Sequence, residues 1–162
     1  MEYLRAEVQA TTGIELTDFQ ENRFRIYFEE LTRWNQHVSL TSIVKANEVA
    51  SKHFADSLEV LRTAKKFLEL PFSAVDIGSG AGFPGIPLGL VEEKATVDLI
   101  EATGKKARFL NHIVNTLVLT NVSVHCSRAE TLGQDPLFRE QFDLATARGV
   151  GHIFVALEYL FP

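Results

Sequence analysis

Five glycines and two prolines stand within the fifteen residues VDIGSGAGFPGIPLG, which run from Val75 to Gly89. An apolar run leads into this segment, and a second apolar run with helical spacing leads out of it. Glycine is required where the backbone takes unusual dihedral angles or where another group approaches it closely. The segment therefore predicts a turn at which a ligand, or a packed neighbouring element, lies against bare backbone.

The spacing of these glycines separates the ligand classes that use such a loop. A dinucleotide fingerprint requires a glycine where Phe83 stands, and a P-loop requires a lysine followed by serine or threonine, which is absent. The pattern present, Asp-x-Gly-x-Gly-x-Gly from Asp76, is similar to that of S-adenosylmethionine-dependent methyltransferases. The acid can receive the cofactor's ammonium group, while the backbone at Gly78 and Gly80 passes close to its methionine and ribose. The alternative is a glycine turn that only packs a helix on a sheet.

A second acidic residue supports a nucleoside ligand. Glu101 ends the next strand-like segment, TVDLIE, one strand–helix–strand unit after the glycine loop. Because the carboxyl ends of adjacent parallel strands lie together, Glu101 is predicted beside the loop. A carboxylate there can accept hydrogen bonds from both ribose hydroxyls. Nicotinamide enzymes share this feature, and a solvated acid at a strand end is the remaining alternative.

The elements that must hold these residues follow from the apolar periodicity. Residues 1–70 have a helical pattern, with a capping box at Thr17 and Gln20, and form an expected N-terminal helical extension. Residues 71–162 alternate short strands with helices, which predicts a parallel sheet wound on both faces, with strand 142–147 beside the glycine-loop strand. The predicted strands are AVDIG, TVDLIEA, NVSVHC and FDLATAR, and the predicted helices are FPGIPLGLV, GKKARFLNHIVNTL and GHIFVALEYL.

Composition limits the class of protein. The chain has 162 residues, 46% of them hydrophobic and 23% charged, which is typical of one soluble globular domain. Its apolar runs are too short to span a bilayer, and MEYLRAEVQ does not resemble a signal peptide. Cys126 is the single cysteine, which agrees with a reducing cytoplasm, and we expect it to be a buried strand thiol. A formal charge of -5 argues against a general nucleic-acid coat but allows a local basic patch.

Several segments together resemble the bacterial 16S ribosomal RNA guanine-N7 methyltransferases, the RsmG or GidB family. They are WNQHVSLTS, HFADSL, VDIGSGAGFPGIPLG, LIEATGKKARFL, SRAE and TARGV, in the family's order. FPGIPL directly after the glycine loop, with HxxDSL upstream, is more specific than the cofactor motif itself. The resemblance implies an α/β, class I Rossmann-like fold and S-adenosyl-L-methionine as cofactor. It implies 16S ribosomal RNA, naked or in a ribosomal particle, as partner, with no membrane and no metal.

Pattern and resemblance together indicate the site. The expected cofactor-binding residues are Asp76, Gly78, Gly80, Phe83, Glu101, Ala102, Thr103, Ala129, Glu130 and Arg148. By resemblance, Glu101 and the two residues after it would hold the ribose side, and Ala129 with Glu130 would meet the adenine. Arg148 would close the pocket where cofactor and target base meet, its alternative being an ion pair with a neighbouring acid. His53 and Asp56 belong to a matching segment at the expected border of the cleft.

The reaction implied by the resemblance requires little acid–base chemistry. Guanine N7 already carries a lone pair and the sulfonium methyl is already activated, so no catalytic base is expected and the protein contributes alignment and electrostatics. Lys105, Lys106 and Arg108 crowd the first turn of a predicted helix, where the helix dipole disfavours cations. Contact with RNA phosphates is one interpretation of this cluster, and a solvated surface is the other.

Two other functions stay open on the sequence alone. One is a methyltransferase of the same fold that acts on protein or a small molecule, and the other is a binding protein without activity. Members of the resembled family continue beyond the last residue of this chain, and their complete fold has more strands than the four visible here. We therefore expect a core that is incomplete at its C-terminus.

Overall fold

The computed structural model describes residues 3–149 and residue 151. The N-terminal part is helical: α1 (Leu4–Thr12), α2 (Asp18–Asn35), α3 (Ala46–Val49), a π-helical turn (Ala50–Ala55) and α4 (Asp56–Ala64). Strands then alternate with helices: β1 (Ser73–Ile77), α5 (Gly85–Val91), β2 (Thr96–Ile100), α6 (Gly104–Thr116), β3 (Val122–His125), α7 (Ala129–Leu132) and β4 (Leu144–Ala147). The four predicted strands are confirmed, whereas the predicted helix GHIFVALEYL lies, after Gly151, outside the described residues.

The four strands form one parallel sheet in the order β3-β2-β1-β4. Ile77, the last residue of β1, is paired with Ile100 of β2 on one side and with Ala147 of β4 on the other. The glycine loop that follows β1 therefore begins between the carboxyl ends of two neighbouring strands. The predicted position of strand 142–147 beside the glycine-loop strand is confirmed.

Alternating side chains give the sheet two covered faces. On one face α5 and α6 pack on the strands. The N-terminal helices join the same core through the buried rings of Phe24, Tyr27 and Phe54, and Tyr27 stacks on Phe109 of α6. On the other face α7 packs its apolar side chains, among them Leu132, on the ends of β1 and β2. The doubly wound, Rossmann-like α/β architecture is thus confirmed, and the helical extension shares its main core with the sheet.

Local signals explain the element ends that matter for the site. The capping box of α2 is confirmed: Gln20 N–H donates to the Thr17 hydroxyl at 3.2 Å, and Thr17 N–H donates to the Gln20 side chain at 3.0 Å. α5 begins directly after Pro84, as its sequence predicts. The expectation that Cys126 is buried is wrong, because β3 ends at His125 and the thiol lies exposed beyond the last paired residue.

Candidate cofactor-binding site

A cavity of about 160 Å³ opens at the carboxyl ends of β1, β2 and β3. Its lining residues are Ile77, Gly78, Ile100, Glu101, Ala102, Ser127, Arg128, Ala129 and Glu130. Five of the expected cofactor residues, Gly78, Glu101, Ala102, Ala129 and Glu130, are therefore brought together from three separate segments of the chain. Their convergence follows from the parallel sheet, which gathers the residues after each strand at one edge.

The chemistry of the cavity suits part of a nucleoside. Ile77, Ile100 and Ala129 give it apolar walls, while the Glu101 carboxylate and the Ser127 hydroxyl are polar groups at its surface. An aromatic base can lie between apolar side chains while sugar hydroxyls donate to a carboxylate. Complete small-molecule pockets are roughly 300–1,000 Å³, so the cavity has room for one portion of such a ligand. The two isoleucines were not among the expected site residues, although Ile77 ends β1 and Ile100 ends β2.

Glu101 joins the glycine loop to the beginning of α6. Its Oε2 accepts a hydrogen bond from the amide of Gly80 at 2.9 Å, and its Oε1 accepts one from the amide of Thr103 at 2.7 Å. The side chain is buried, with 6% of the residue exposed. Each carboxylate oxygen can accept a second hydrogen bond, so these backbone contacts leave Glu101 able to bind hydroxyl donors in the cavity. Thr103 contributes its amide to Glu101 and does not line the cavity itself.

The glycine loop serves both purposes that its composition suggests. Gly80 lies beside the cavity edge in a left-handed conformation, with φ +58°, and donates its amide to Glu101. Gly82 is needed for packing, because a Cβ there would lie 2.6 Å from Ile86 and 2.7 Å from the Tyr27 hydroxyl. At Gly85 a Cβ would lie 2.2 Å from Leu99. The first part of the loop therefore borders the cavity, and the later glycines let α5 pack against β2 and α2.

Tyr27 supports the glycine loop from the helical extension. Its buried hydroxyl donates a hydrogen bond to the Ala81 carbonyl, and its ring stacks on Phe83 with centroids 5.4 Å apart. Burial raises the pKa of Tyr27 well above its usual range, so the hydroxyl stays protonated and able to donate. In the sequence Tyr27 is one of several aromatic residues at helical spacing, a pattern that indicates helix packing and gives no sign of the contact with the glycine loop.

Asp76 lies on the face of the sheet opposite the cavity. Its Oδ2 accepts from the Gly85 amide at 3.1 Å, and its Oδ1 accepts from the Thr146 hydroxyl at 3.1 Å. Burial raises the pKa of Asp76 to about 6, against the opposing effects of these hydrogen bonds, of Ser79 and of the positive charge on Arg148. Asp76 therefore links β1 to α5 and β4, and its contact with a cofactor ammonium stays a prediction.

Arg148 lies directly after β4, on the same side of the sheet as Asp76. Its guanidinium donates to Asp56 Oδ2 at 3.1 Å, to the Lys52 carbonyl at 3.3 Å and to His53 Nδ1 at 3.0 Å. It also lies over the ring of Phe83, 5.1 Å from the centroid. We call His53, Asp56, Phe83 and Arg148 the β4-side cluster. Phe83 and Arg148, both expected at the cofactor, thus lie in this cluster and not in the lining of the cavity.

His53 and Phe83 are the buried members of the β4-side cluster. The ring of His53 contacts both Phe83 and Thr41. Its ring stacks on Phe83, with centroids 4.4 Å apart and planes 19° from parallel, and its Nε2 lies 2.9 Å from the Thr41 hydroxyl. Burial, together with the charge on Arg148, lowers the pKa of His53 to about 4. His53 is therefore neutral near pH 7.

The surface beside the cavity is basic at the start of α6. Lys105 and Arg108 are exposed and Lys106 is half-buried. Residues 3–149 and 151 contain no group of three or more His, Cys, Asp or Glu side chains placed to hold a metal ion. Over the same residues, no helix is long and apolar enough to cross a membrane.

Comparisons with a family model and with individual known sequences identify the same family. The family model described as GidB, rRNA small subunit methyltransferase G, matches residues 20–162. A ribosomal RNA small subunit methyltransferase G of Roseiflexus castenholzii is 44% identical over 155 residues, covering 96% of this chain and 65% of that protein. The protein of the same name from Dictyoglomus thermophilum is 42% identical over 150 residues, covering 93% of this chain and 62% of that protein. This chain thus spans slightly less than two thirds of the length of these curated relatives.

Comparison with solved structures supports the fold. A Klebsiella pneumoniae protein described provisionally as an O-methyltransferase superposes with a TM-score of 0.51 at 17% identity, covering 74% of this chain and 51% of that one. At this identity the similarity concerns the architecture alone. It agrees with the parallel sheet and its helices as described above.

Proposed function

The chain belongs to the GidB family, the rRNA small subunit methyltransferases G, and from this we propose that it transfers a methyl group from S-adenosyl-L-methionine to N7 of a guanine in 16S ribosomal RNA. The observation that carries the proposal is the cavity at the strand ends, where Glu101 and the glycine-loop backbone meet. The family match supports the same assignment independently, since it rests on the sequence of residues 20–162.

The residues around the cavity fit the cofactor in their chemistry. When bound, S-adenosylmethionine supplies a methyl group on a sulfonium centre. Glu101 would accept the ribose hydroxyls, with Ala102 and Thr103 beside it, and the backbone of Ala129 and Glu130 would face the adenine. The glycine loop would pass along the methionine portion through Gly78 and Gly80, near Asp76 and Phe83. The support for this arrangement is the lining of the cavity, which combines apolar walls with the two acids Glu101 and Glu130 and the Ser127 hydroxyl.

Arg148 would act where cofactor and target base meet. An arginine can donate a hydrogen bond to O6 of a guanine, and such a contact would orient the ring while N7 keeps its lone pair for the methyl group. No proton has to be removed before the nitrogen attacks. The protein would therefore accelerate the reaction by aligning the two partners and excluding water, without a general base.

The basic start of α6 would contact the RNA backbone. Lys105, Lys106 and Arg108 follow Glu101 closely along the chain, so phosphates bound there would lie close to the cofactor. The three cations crowd the start of a helix, where the helix dipole disfavours them, and this supports a ligand for them outside the chain. A substrate in the small ribosomal subunit would place the enzyme in the bacterial cytoplasm.

Two measurements on this chain test the proposal. Calorimetric titration with S-adenosylhomocysteine should give saturable binding at one site. Labelled S-adenosylmethionine should then methylate 16S RNA or the small subunit, and nucleoside analysis should locate the label in 7-methylguanosine. Label transferred to protein or small molecules would favour another methyltransferase of the same fold. Binding without any transfer would indicate a cofactor-binding protein that lacks this activity.

A further inference from the structure

The segment WNQHVSLTS, residues 34–42, forms a loop that is held by its own hydrogen bonds and that contacts His53. Asn35 Oδ1 accepts from the amides of Leu40 and Thr41 at 2.8 and 3.0 Å, and Asn35 Nδ2 donates to the Thr41 carbonyl at 2.8 Å. Ile43 N–H donates to the Thr41 hydroxyl at 3.0 Å. The Thr41 hydroxyl is therefore held in a fixed place, 2.9 Å from His53 Nε2.

The donors around His53 determine which of its nitrogens carries the proton. His53 Nδ1 lies 3.0 Å from an Arg148 nitrogen, which can only donate, and 3.1 Å from the Lys52 carbonyl, which can only accept. Because Arg148 already donates to the Lys52 carbonyl, the arrangement that leaves no two donors facing each other is the one in which Nδ1 accepts from Arg148. In the neutral ring Nε2 then carries the hydrogen and donates to the Thr41 hydroxyl. A chain of hydrogen bonds with one consistent direction thus runs from Arg148 through His53 to Thr41.

Of the polar side chains that hold Arg148, His53 is the rigid one. The side chain of Asp56 is 60% exposed and that of Arg148 is 34% exposed, and an ion pair so accessible to water is weak and restrains geometry little. His53, in contrast, is 7% exposed, and its ring is confined by Phe83 and by the π-helical turn that carries it. Its Nδ1 therefore defines a direction for the guanidinium that Asp56 cannot define.

We propose that His53 is a positioning residue for methyl transfer: it holds Arg148 over Phe83 in the orientation that presents the guanidinium to the acceptor guanine. The inference rests on the proposed function. The hydrogen-bonded loop of residues 35–43 contributes to this positioning, because it fixes Thr41 and thereby the ring of His53. This gives the N-terminal extension a role in the reaction, although it lies outside the sheet.

The test compares two substitutions at His53 in this chain. His53→Phe keeps an aromatic ring against Phe83 but removes the acceptor for Arg148, and it should lower kcat about tenfold to a hundredfold. His53→Asn places an amide oxygen near the position of Nδ1, and it should recover most of that loss. Affinity for S-adenosylhomocysteine should be nearly unchanged in both variants.

A double-mutant cycle separates positioning from a purely structural role. Arg148→Ala should lower kcat to about the level of His53→Phe, and the double variant should be no slower than Arg148→Ala. Independent, multiplying losses would overturn the proposal, as would normal turnover in a folded His53→Phe. If His53→Phe does not fold, Thr41→Val serves instead: it should lower kcat moderately, with no effect on top of Arg148→Ala. A wild-type chain that binds S-adenosylhomocysteine but transfers no methyl to RNA would refute the proposed function, and this inference with it.

Discussion

Oε2 of Glu101 lies 2.9 Å from the amide nitrogen of Gly80 and accepts a hydrogen bond from it. The two residues were expected at the cofactor for separate reasons, one as a ribose acceptor and the other as bare backbone. Their contact makes the glycine loop and the end of β2 a single unit, so a ligand held by one is placed against the other. Loss of Glu101 should then affect both the shape of the loop and the binding of the cofactor.

Glu101→Ala should weaken binding of S-adenosylhomocysteine by roughly ten- to a hundredfold, since hydrogen bonds to a charged acceptor contribute about 1.5–3 kcal/mol. Calorimetry measures the affinity, and thermal unfolding shows whether the variant stays folded. Glu69→Ala removes an exposed carboxylate elsewhere on the chain and is the matched control. A folded Glu101→Ala protein with wild-type affinity would leave Glu101 only its role in holding the loop.

Tyr27→Phe should destabilise the protein by about 1–3 kcal/mol, because the Ala81 carbonyl would lose its buried donor. Urea denaturation gives the free energy of unfolding, and calorimetry shows whether S-adenosylhomocysteine binds more weakly as the loop loosens. Tyr3→Phe is the control, since Tyr3 is 72% exposed. Equal stabilities of the two variants would mean that the hydroxyl of Tyr27 does not support the loop.

Gly82→Ala should lower the free energy of unfolding more than Gly104→Ala, a change at the first residue of α6. The new Cβ would overlap Ile86 and the Tyr27 hydroxyl, and the φ of +95° is unfavourable for alanine. Overpacking typically costs about 1–3 kcal/mol, and the backbone strain adds to it. Gly104→Ala, with no atom within 4 Å of the added Cβ, should be neutral or slightly stabilising. Similar urea midpoints for the two variants would contradict the packing role of Gly82.

The sequence predicted the fold well because its signals are local or topological. Alternating strands and helices determine the parallel sheet, and the sheet brings Glu101 beside the glycine loop without further information. The surroundings of Asp76 and Arg148 were not predictable in the same way. Asp76 contacts Gly85 and Thr146, and Arg148 contacts His53, through side-chain directions and long-range packing that no spacing encodes. Tyr27 is the same case, since only tertiary structure places its hydroxyl at the loop.

Asp76 and His53 should each make the free energy of unfolding depend on pH, in opposite directions. Asp76 has a pKa of about 6 in the folded protein against an ordinary 3.8, so the folded state binds its proton more tightly. Its contribution makes the free energy of unfolding fall as pH rises from about 4 to 6, by about 3 kcal/mol in total. His53 has a folded pKa of about 4 against 6.5, so its contribution rises by a similar amount as pH increases from about 4 to 6.5.

In the wild-type protein these two contributions largely cancel, and single substitutions should separate them. Relative to wild type, Asp76→Asn should become more stable with increasing pH between 4 and 6, whereas His53→Phe should become less stable. Urea denaturation at several pH values measures both trends. Variants whose stability runs parallel to wild type would show that neither group titrates as its burial implies.

Changing Lys105 and Lys106 together to alanine should weaken RNA binding and leave S-adenosylhomocysteine affinity nearly intact. Each phosphate contact contributes about 0.7 to 0.9 to the slope of log affinity against log salt, so the slope should become shallower by roughly 1.4–1.8. The control is the double variant Lys66→Ala and Lys94→Ala, which removes two exposed lysines. Lys94 lies just before the start of β2 and therefore at the end of the sheet away from the cavity. Filter binding at several salt concentrations gives both slopes. Because both double variants change the net charge equally, a change confined to Lys105 and Lys106 would identify a phosphate contact, and equal slopes would make the cluster an ordinary solvated surface.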